Sequence, residues 1–229
     1  MASERPELWV CHLGRVEYAE ANALQERVRA ARQAGEVPDV LLLLEHPPVY
    51  TRGRRSEPGE LPMGEDWYRA QGIDVVQTDR GGKLTYHGPG QLVGYPIMAI
   101  GDVVAYLRTM EAAMIAALAD EGIAAGMREG LTGVWVGDRK IGSIGVHVSR
   151  GVTTHGFAIN VDNDLQPFEW VVPCGLEGVR MTSVCRETGR QALPCFRRRM
   201  AWRFAEAFER RQRLVSGRRL DGTRAPVAA

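Results

Sequence analysis

The chain has 229 residues, 45% hydrophobic and 25% charged, enough to bury a substantial core within one large domain. Twenty-nine Lys and Arg against 28 Asp and Glu leave a formal net charge of +1, which weighs against a general polyanion binder. The longest apolar runs, such as residues 40–44, fall far short of a bilayer span, and the first six residues lack the apolar core of a signal peptide, so a cytoplasmic protein off the membrane is expected.

Residues 8–13 read as a first strand, and residues 17–34 carry Tyr18, Ala21, Leu24, Val28 and Ala31 at the three- and four-residue spacing of an amphipathic helix ended by Gly35. Residues 40–45 form a continuous apolar run expected to be buried on both faces and stopped by His46-Pro47-Pro48. A polar, mobile loop is expected over 52–59, with Arg52, Arg54 and Arg55 either solvated or docking an acidic partner. A short helix over 65–70 and a strand-like run over 73–78 follow.

Asp102 is placed to cap a long helix whose core face would be Val104, Leu107, Met114, Ile115 and Leu118, ending at Gly122. Strands are expected over 133–136, 139–148 and 153–161, with Gly137-Asp138 turning between the first two. An irregular passage around Asn163-Asp164 and Pro167 leads to a helix over 195–214. These elements predict one α/β (α+β) domain over residues 1–215, with a mixed, largely antiparallel sheet flanked by helices, and a disordered tail over 216–229.

One stretch is too rich in glycine and polar residues for ordinary packing: Arg80-Gly-Gly-Lys-Leu-Thr-Tyr-His-Gly-Pro-Gly-Gln91. Glycines directly after a strand mark a bulge or a ligand lying against bare backbone, and Gly88-Pro89-Gly90 forces a tight turn. Cys174 lies between Pro173 and Gly175, where the chain must turn and a thiol can stand clear of packing; a small buried thiol is the more common fate of any cysteine. Reactivity would need a nearby cation or base to lower the thiol pKa, and none is local in sequence. Lys140 is a candidate, because lysine can lose its proton when desolvated and arginine cannot. His87, His147 and His155 are rival bases or ligands without zinc-binding spacing. Cys11, Cys174, Cys185 and Cys195 show no CxxC pair, so no disulfide framework, metal or cofactor is expected. There is no GxxxxGK[ST] phosphate loop.

Together the first stretch, Lys140-Ile-Gly-Ser-Ile-Gly145, His155-Gly-Phe-Ala-Ile-Asn160 and Pro173-Cys-Gly-Leu176 resemble the octanoyltransferase family, in order and across most of the chain. The resemblance implies the fold shared by lipoate ligases and the biotin ligase catalytic domain. It implies transfer of an octanoyl group from octanoyl-acyl carrier protein to a lysine of lipoyl domains, those of 2-oxoacid dehydrogenase complexes and the glycine cleavage H protein, by a monomer needing no cofactor. It also implies a Cys174 acyl-thioester and a Lys140 that lowers the thiol pKa. Substrate-binding positions carried over are Arg80, Gly81, Gly82 and Lys83, then Leu84, Thr85, Tyr86 and His87. Ser143, Ile144 and Gly145, and Gly156, Phe157 and Ala158, complete that set.

Three other readings stay open on sequence alone: an ATP-dependent lipoate or biotin ligase of the same fold, a non-catalytic module binding lipoyl domains or acyl carriers, and a weakly supported nucleic-acid binder using the C-terminal arginines.

Overall fold

The strand β2 (Asp39–Glu45) sets the centre of the molecule, because its five apolar residues Val40 to Leu44 are all fully buried. Side chains alternate across a strand, so Leu41 and Leu43 enter one core while Val40, Leu42 and Leu44 enter another. The computed structural model describes residues 5–171 and 179–222.

β1 (Glu7–Arg15) pairs with β2 in parallel, the two joined by the crossover helix α1 (Tyr18–Gln33). On the other side of β2 the pairing turns antiparallel, through β6 (Gln91–Ile97), β10 (Val152–Asn160), β9 (Arg139–Ser149), β8 (Leu131–Val136) and β7 (Gly126–Arg128). A two-residue strand, β11 (Arg180–Met181), adds in parallel to β9. The long apolar strand in the middle and the mixed, largely antiparallel sheet agree with the sequence reading.

Helices α3 (Val103–Ala119) and α6 (Leu193–Ala207) cover one face, with Met110, Met114, Phe196 and Phe204 fully buried against Leu41 and Leu43. Helix α1 covers the other face through Ala21, Leu24 and Val28. Asp102 caps α3 as its sequence position suggests, its Oδ1 accepting from the N–H groups of Val104 at 2.8 Å and Ala105 at 3.1 Å. The core face of α3 is rotated from the expected one: Tyr106, Met110, Ala113, Met114, Ala117 and Leu118 point inwards, and Val104 is 66% exposed.

A smaller sheet lies alongside, in the order β4 (Asp74–Gln77), β3 (Val49–Arg52), β5 (Thr85–His87). Its outer face is closed by Tyr50, Tyr68, Tyr86 and Phe168, drawn from β3, α2 (Glu65–Ala70), β5 and α4 (Gln166–Glu169).

The C-terminal region departs from expectation. Helix α6 stops at Ala207, Glu209 takes a left-handed φ of 53°, and the Arg210 N–H returns to the Ala205 carbonyl at 2.8 Å. The following residues form β12 (Arg211–Leu214), an edge strand parallel to β1, where a continued helix was expected; pairing with β1 supplies backbone bonds that an exposed last turn would lack. The tail then folds into α7 (Gly217–Asp221), because Leu220 is fully buried beside Cys11 and Val28 in the α1-side core. This corrects disorder from residue 216; residues 223–229 lie outside the described residues. Among the described residues no helix is long and apolar enough to cross a membrane.

Candidate active site

The site grows from strand register. β10 and β9 pair so that Ala158 faces Ser143, Phe157 faces Ile144 and Gly156 faces Gly145. Two sequence motifs are thereby laid side by side, and the glycine-rich segment after β4 closes over them. A pocket of about 520 Å³, its open mouth included, lies between these three segments. Arg80, Gly82, Lys83, Leu84, Thr85 and His87 line it from the glycine-rich side. Lys140, Ser143, Ile144 and Gly145 line it from β9, and Gly156, Phe157 and Ala158 from β10.

The glycines have specific work here. A Cβ on Gly145 would sit 2.7 Å from the Gly81 carbonyl, and one on Gly156 would sit 2.3 Å from the Gly94 carbonyl. The backbones therefore approach within distances that only glycine allows. The Gly81 N–H donates to the Val146 carbonyl at 2.9 Å, tying the glycine-rich segment to β9. The loop at 52–55, expected to be mobile, is clamped to the same segment. The Arg54 N–H donates to the Arg80 carbonyl at 2.9 Å and the Arg55 N–H to the Gly82 carbonyl at 3.0 Å. Arg54 and Arg55 keep their side chains exposed, while Arg52 pairs with Glu65.

Lys140 is buried at one end of the pocket, only 5% exposed, with its ammonium 5.5 Å from the Trp135 ring centroid. A Cβ on Gly133 would lie 2.8 Å from Lys140 Cε, so the lysine stem runs through the space that glycine leaves empty. Trp135 offers the face of an aromatic ring to a buried cation.

At the other end stand Tyr18, Tyr95 and His155, which line the pocket but were absent from the expected binding set. Tyr18 reads in sequence as one more apolar position of α1, and nothing local distinguishes it. The sequence marks His155 only as a rival base or ligand; it opens a matched motif, and the structure shows it with a left-handed φ of 56°, an unusual and strained state for a buried non-glycine residue. Its Nε2 is 2.6 Å from Asp79 Oδ1, and His147 Nε2 is 3.6 Å from Asp79 Oδ2. The hydrogen bond from His155 holds the Asp79 carboxyl down at about 2.

Of the expected set, Gly81 contributes backbone bonding without lining the pocket, and Tyr86 turns away, packing on Tyr50 and Phe168. Strand alternation explains Tyr86, because its neighbours Thr85 and His87 take the inward face. Cys174, with residues 172–178, lies outside the described residues. Among the described cysteines, Cys11 is buried, Cys185 half-buried and Cys195 exposed. No group of three metal-ligating side chains occurs among the described residues.

Residues 17–204 match the family described as lipoyl protein ligase A/B catalytic domain. The chain belongs to that family. The octanoyltransferase of Solibacter usitatus (strain Ellin6076) is 49% identical over 201 residues, covering 86% of this chain and 91% of that relative. The octanoyltransferase of Mycobacterium sp. (strain KMS) is 51% identical over 199 residues, covering 83% and 80%. The motif resemblance to octanoyltransferases is thus matched by similarity along most of the chain. Among solved structures, the bipartite lipoate protein ligase of Thermoplasma acidophilum has a TM-score of 0.71 at 18% identity, covering 93% of this chain and 87% of that one. The Aquifex aeolicus biotin protein ligase follows the same fold more loosely, with a TM-score of 0.51 at 14% identity over 89% of this chain and 68% of its own. At these identities the likeness establishes the fold.

Two buried histidines, His87 in the pocket wall and His46 edge-on beside it, are expected to make the fold pH-sensitive. His46 is fully buried, and burial pushes its pKa from 6.5 down to about 4 despite a bond to the Val16 carbonyl. Burial, with His46 nearby, pushes His87 down to about 3. Both are neutral in the folded state and protonate near 6.5 once unfolded, so their contribution is complete above that pH and is lost as pH falls towards the folded values. The loss amounts to on the order of 3 kcal/mol per histidine by about pH 4. Asp79, also depressed, adds its own loss only below about 3.8. The melting temperature is therefore expected to drop steeply between pH 6.5 and 4, and His46→Gln to flatten the drop; equal slopes in the two proteins would rule out His46 as the cause.

Proposed function

We propose that this protein transfers an octanoyl group from octanoyl-acyl carrier protein to a specific lysine of lipoyl domains, through an acyl-thioester on Cys174. The observation that carries this reading is the slot itself: bare glycine backbone and the apolar Val93, Ile144, Phe157 and Ala158 leading to a buried lysine. From Lys140 to Gly145 the slot follows β9 for about 16 Å, at roughly 3.3 Å per residue. Each methylene buried in such a slot contributes roughly 0.8 kcal/mol, so an octanoyl chain gains on the order of 5 kcal/mol.

Thioester to amide is downhill, and the difficulty is kinetic. In the first step the Cys174 sulfur bonds the acyl carbon as the carbon–sulfur bond to the carrier's phosphopantetheine breaks; the departing thiolate takes up the proton that Cys174 gave up. In the second step the acceptor lysine nitrogen bonds that carbon, the Cys174 sulfur leaves as thiolate, and the amine proton passes to Lys140. As an ammonium Lys140 stabilises the thiolate, and as an amine it receives the proton.

The acceptor class is supported by the Thermoplasma acidophilum ligase, which was solved together with its E2 lipoyl domain. The acyl class is supported by relatives named octanoyltransferase at about half identity. The test is ATP dependence. Wild-type protein mixed with octanoyl-acyl carrier protein and a lipoyl domain, with ATP rigorously removed, is expected to give octanoylated domain at full rate. A strict requirement for ATP would replace the transferase with an adenylating ligase.

A further inference from the structure

Asn160 ends β10 and closes a matched motif, yet it does not line the slot. It is 4% exposed, and its amide joins two parts of the molecule. The Nδ2 donates to the Thr182 carbonyl at 3.1 Å, and the Oδ1 accepts from Gln91 Nε2 at 2.9 Å. Asn163 Nδ2 adds a second donor to that oxygen at 3.2 Å.

These bonds extend in both directions. Towards the catalytic lysine, the Thr182 N–H donates to the Lys140 carbonyl at 2.9 Å, next to the β11 pairing of Met181 with Lys140. Towards the pocket floor, Gln91 Oε1 lies 2.7 Å from His87 Nδ1, and His87 Nε2 lies 3.4 Å from Thr51 Oγ1. Arg80 Nε donates to that hydroxyl oxygen at 3.1 Å.

Every donor in this series is determined by chemistry. Backbone carbonyls only accept, so the Thr182 carbonyl fixes which end of the Asn160 amide is nitrogen. The Tyr86 carbonyl, 3.1 Å from Gln91 Nε2, fixes the Gln91 amide in the same way. Gln91 Oε1 is then an acceptor, and the proton of His87 must sit on Nδ1. A guanidinium only donates, so the Thr51 hydroxyl hydrogen is left for His87 Nε2. The bonds from Arg80 to the Thr182 carbonyl therefore all point one way, an arrangement in which each bond polarises the next; the Thr182 N–H, in the preceding peptide group, then links the series mechanically to the Lys140 carbonyl.

We propose that Asn160 is a positioning residue for acyl transfer, holding the Lys140 strand in register with the floor of the acyl slot through this one-directional hydrogen-bonded series. The proposal rests on the transferase reading for its kinetic part; its spectroscopic part does not. Asn160 does not line the slot, so its loss is expected to displace Lys140 relative to the reacting carbon without changing the contacts that bind the acyl chain. A misplacement of about 1 Å at a reacting centre costs on the order of 100-fold.

The first arm uses the substrate-free wild-type protein labelled with ¹⁵N-histidine, the His87 signals assigned by their absence in His87→Gln. At neutral pH His87 is expected as the neutral Nδ1–H tautomer, and a neutral Nε2–H tautomer would overturn the proposal. In the second arm Asn160→Ala is expected to lower kcat about 10-fold to 100-fold while KM for octanoyl-acyl carrier protein stays within about twofold. In the same variant the Tyr86 carbonyl still orients Gln91, so the His87 Nδ1–H tautomer should persist. An unchanged kcat, or a loss confined to KM, would overturn the proposal. If Asn160→Ala does not fold, Gln91→Met breaks the series one bond earlier; it is read by the same kinetic criteria, and there the His87 signals should move to a mixture of tautomers. Should the wild-type protein transfer no octanoyl at all, the transferase reading fails on its own, and the tautomer arm still decides the hydrogen-bonded series.

Discussion

Cys174→Ser is expected to lose octanoyl transfer by on the order of 1,000-fold or more, and to gain no octanoyl adduct when mixed with octanoyl-acyl carrier protein. In the proposed relay a cysteine thiolate is the nucleophile, and a serine hydroxyl at the same place would stay protonated and attack a thioester poorly. Loss of the relay also removes the leaving group of the second step, so both half-reactions fail together. Intact-mass measurement after brief incubation separates this from misfolding: wild type should carry one acyl group that an added lipoyl domain removes. Cys195→Ser is the matched control, since Cys195 is an exposed free thiol on α6, away from the slot, and its loss should change nothing. Adduct formation on Cys174→Ser at the wild-type rate would end the thioester mechanism.

Lys140→Met should cost about 100-fold to 10,000-fold in single-turnover transfer, the range for a lost proton-transfer group. Methionine keeps an unbranched stem in the channel past Gly133 and over Trp135, so the fold and the slot are retained while the nitrogen is removed. Lys140→Arg is expected to rescue little. A guanidinium could hold a thiolate by charge, but it cannot take the proton of the attacking amine. It is also broader than the stem for which Gly133 leaves room, with Lys140 Nζ already 3.4 Å from the position of a Cβ there. The two variants therefore separate charge from proton transfer. An arginine variant with near wild-type rates would assign Lys140 a purely electrostatic role. A methionine variant with near wild-type rates would remove it from the chemistry and turn attention to the Asp79–His155 pair.

Much of the fold is legible in local pattern. The run of residues 40–44 has no polar interruption and is short and bounded by prolines, as a strand buried on both faces is, and α1 shows its buried stripe at helical spacing. The position of Asp102 before an apolar helix announces its cap. Errors fall where local signals compete. Val104 is apolar but sits in the first turn of α3, beyond the edge of the sheet core. The arginines of β12 suit a solvated helix as well as an exposed edge strand, and only pairing with β1 settles it.

The site divides in the same way. In the sequence, clustered glycines, a proline-flanked cysteine and a lysine in an arginine-dominated chain mark the segments expected to carry unusual chemistry, because such residues are costly or useless in ordinary packing. How those segments meet depends on the tertiary structure: the register that sets Gly156 against Gly145, the inward turn of Thr85 and His87 that sends Tyr86 outwards, and the arrival of Tyr18 and His155 on the pocket wall, with Asp79 bonded to His155. The reason is that side-chain periodicity specifies the apolar face of each element, while the alignment of strands remote in sequence depends on packing and hydrogen bonding summed over the whole sheet.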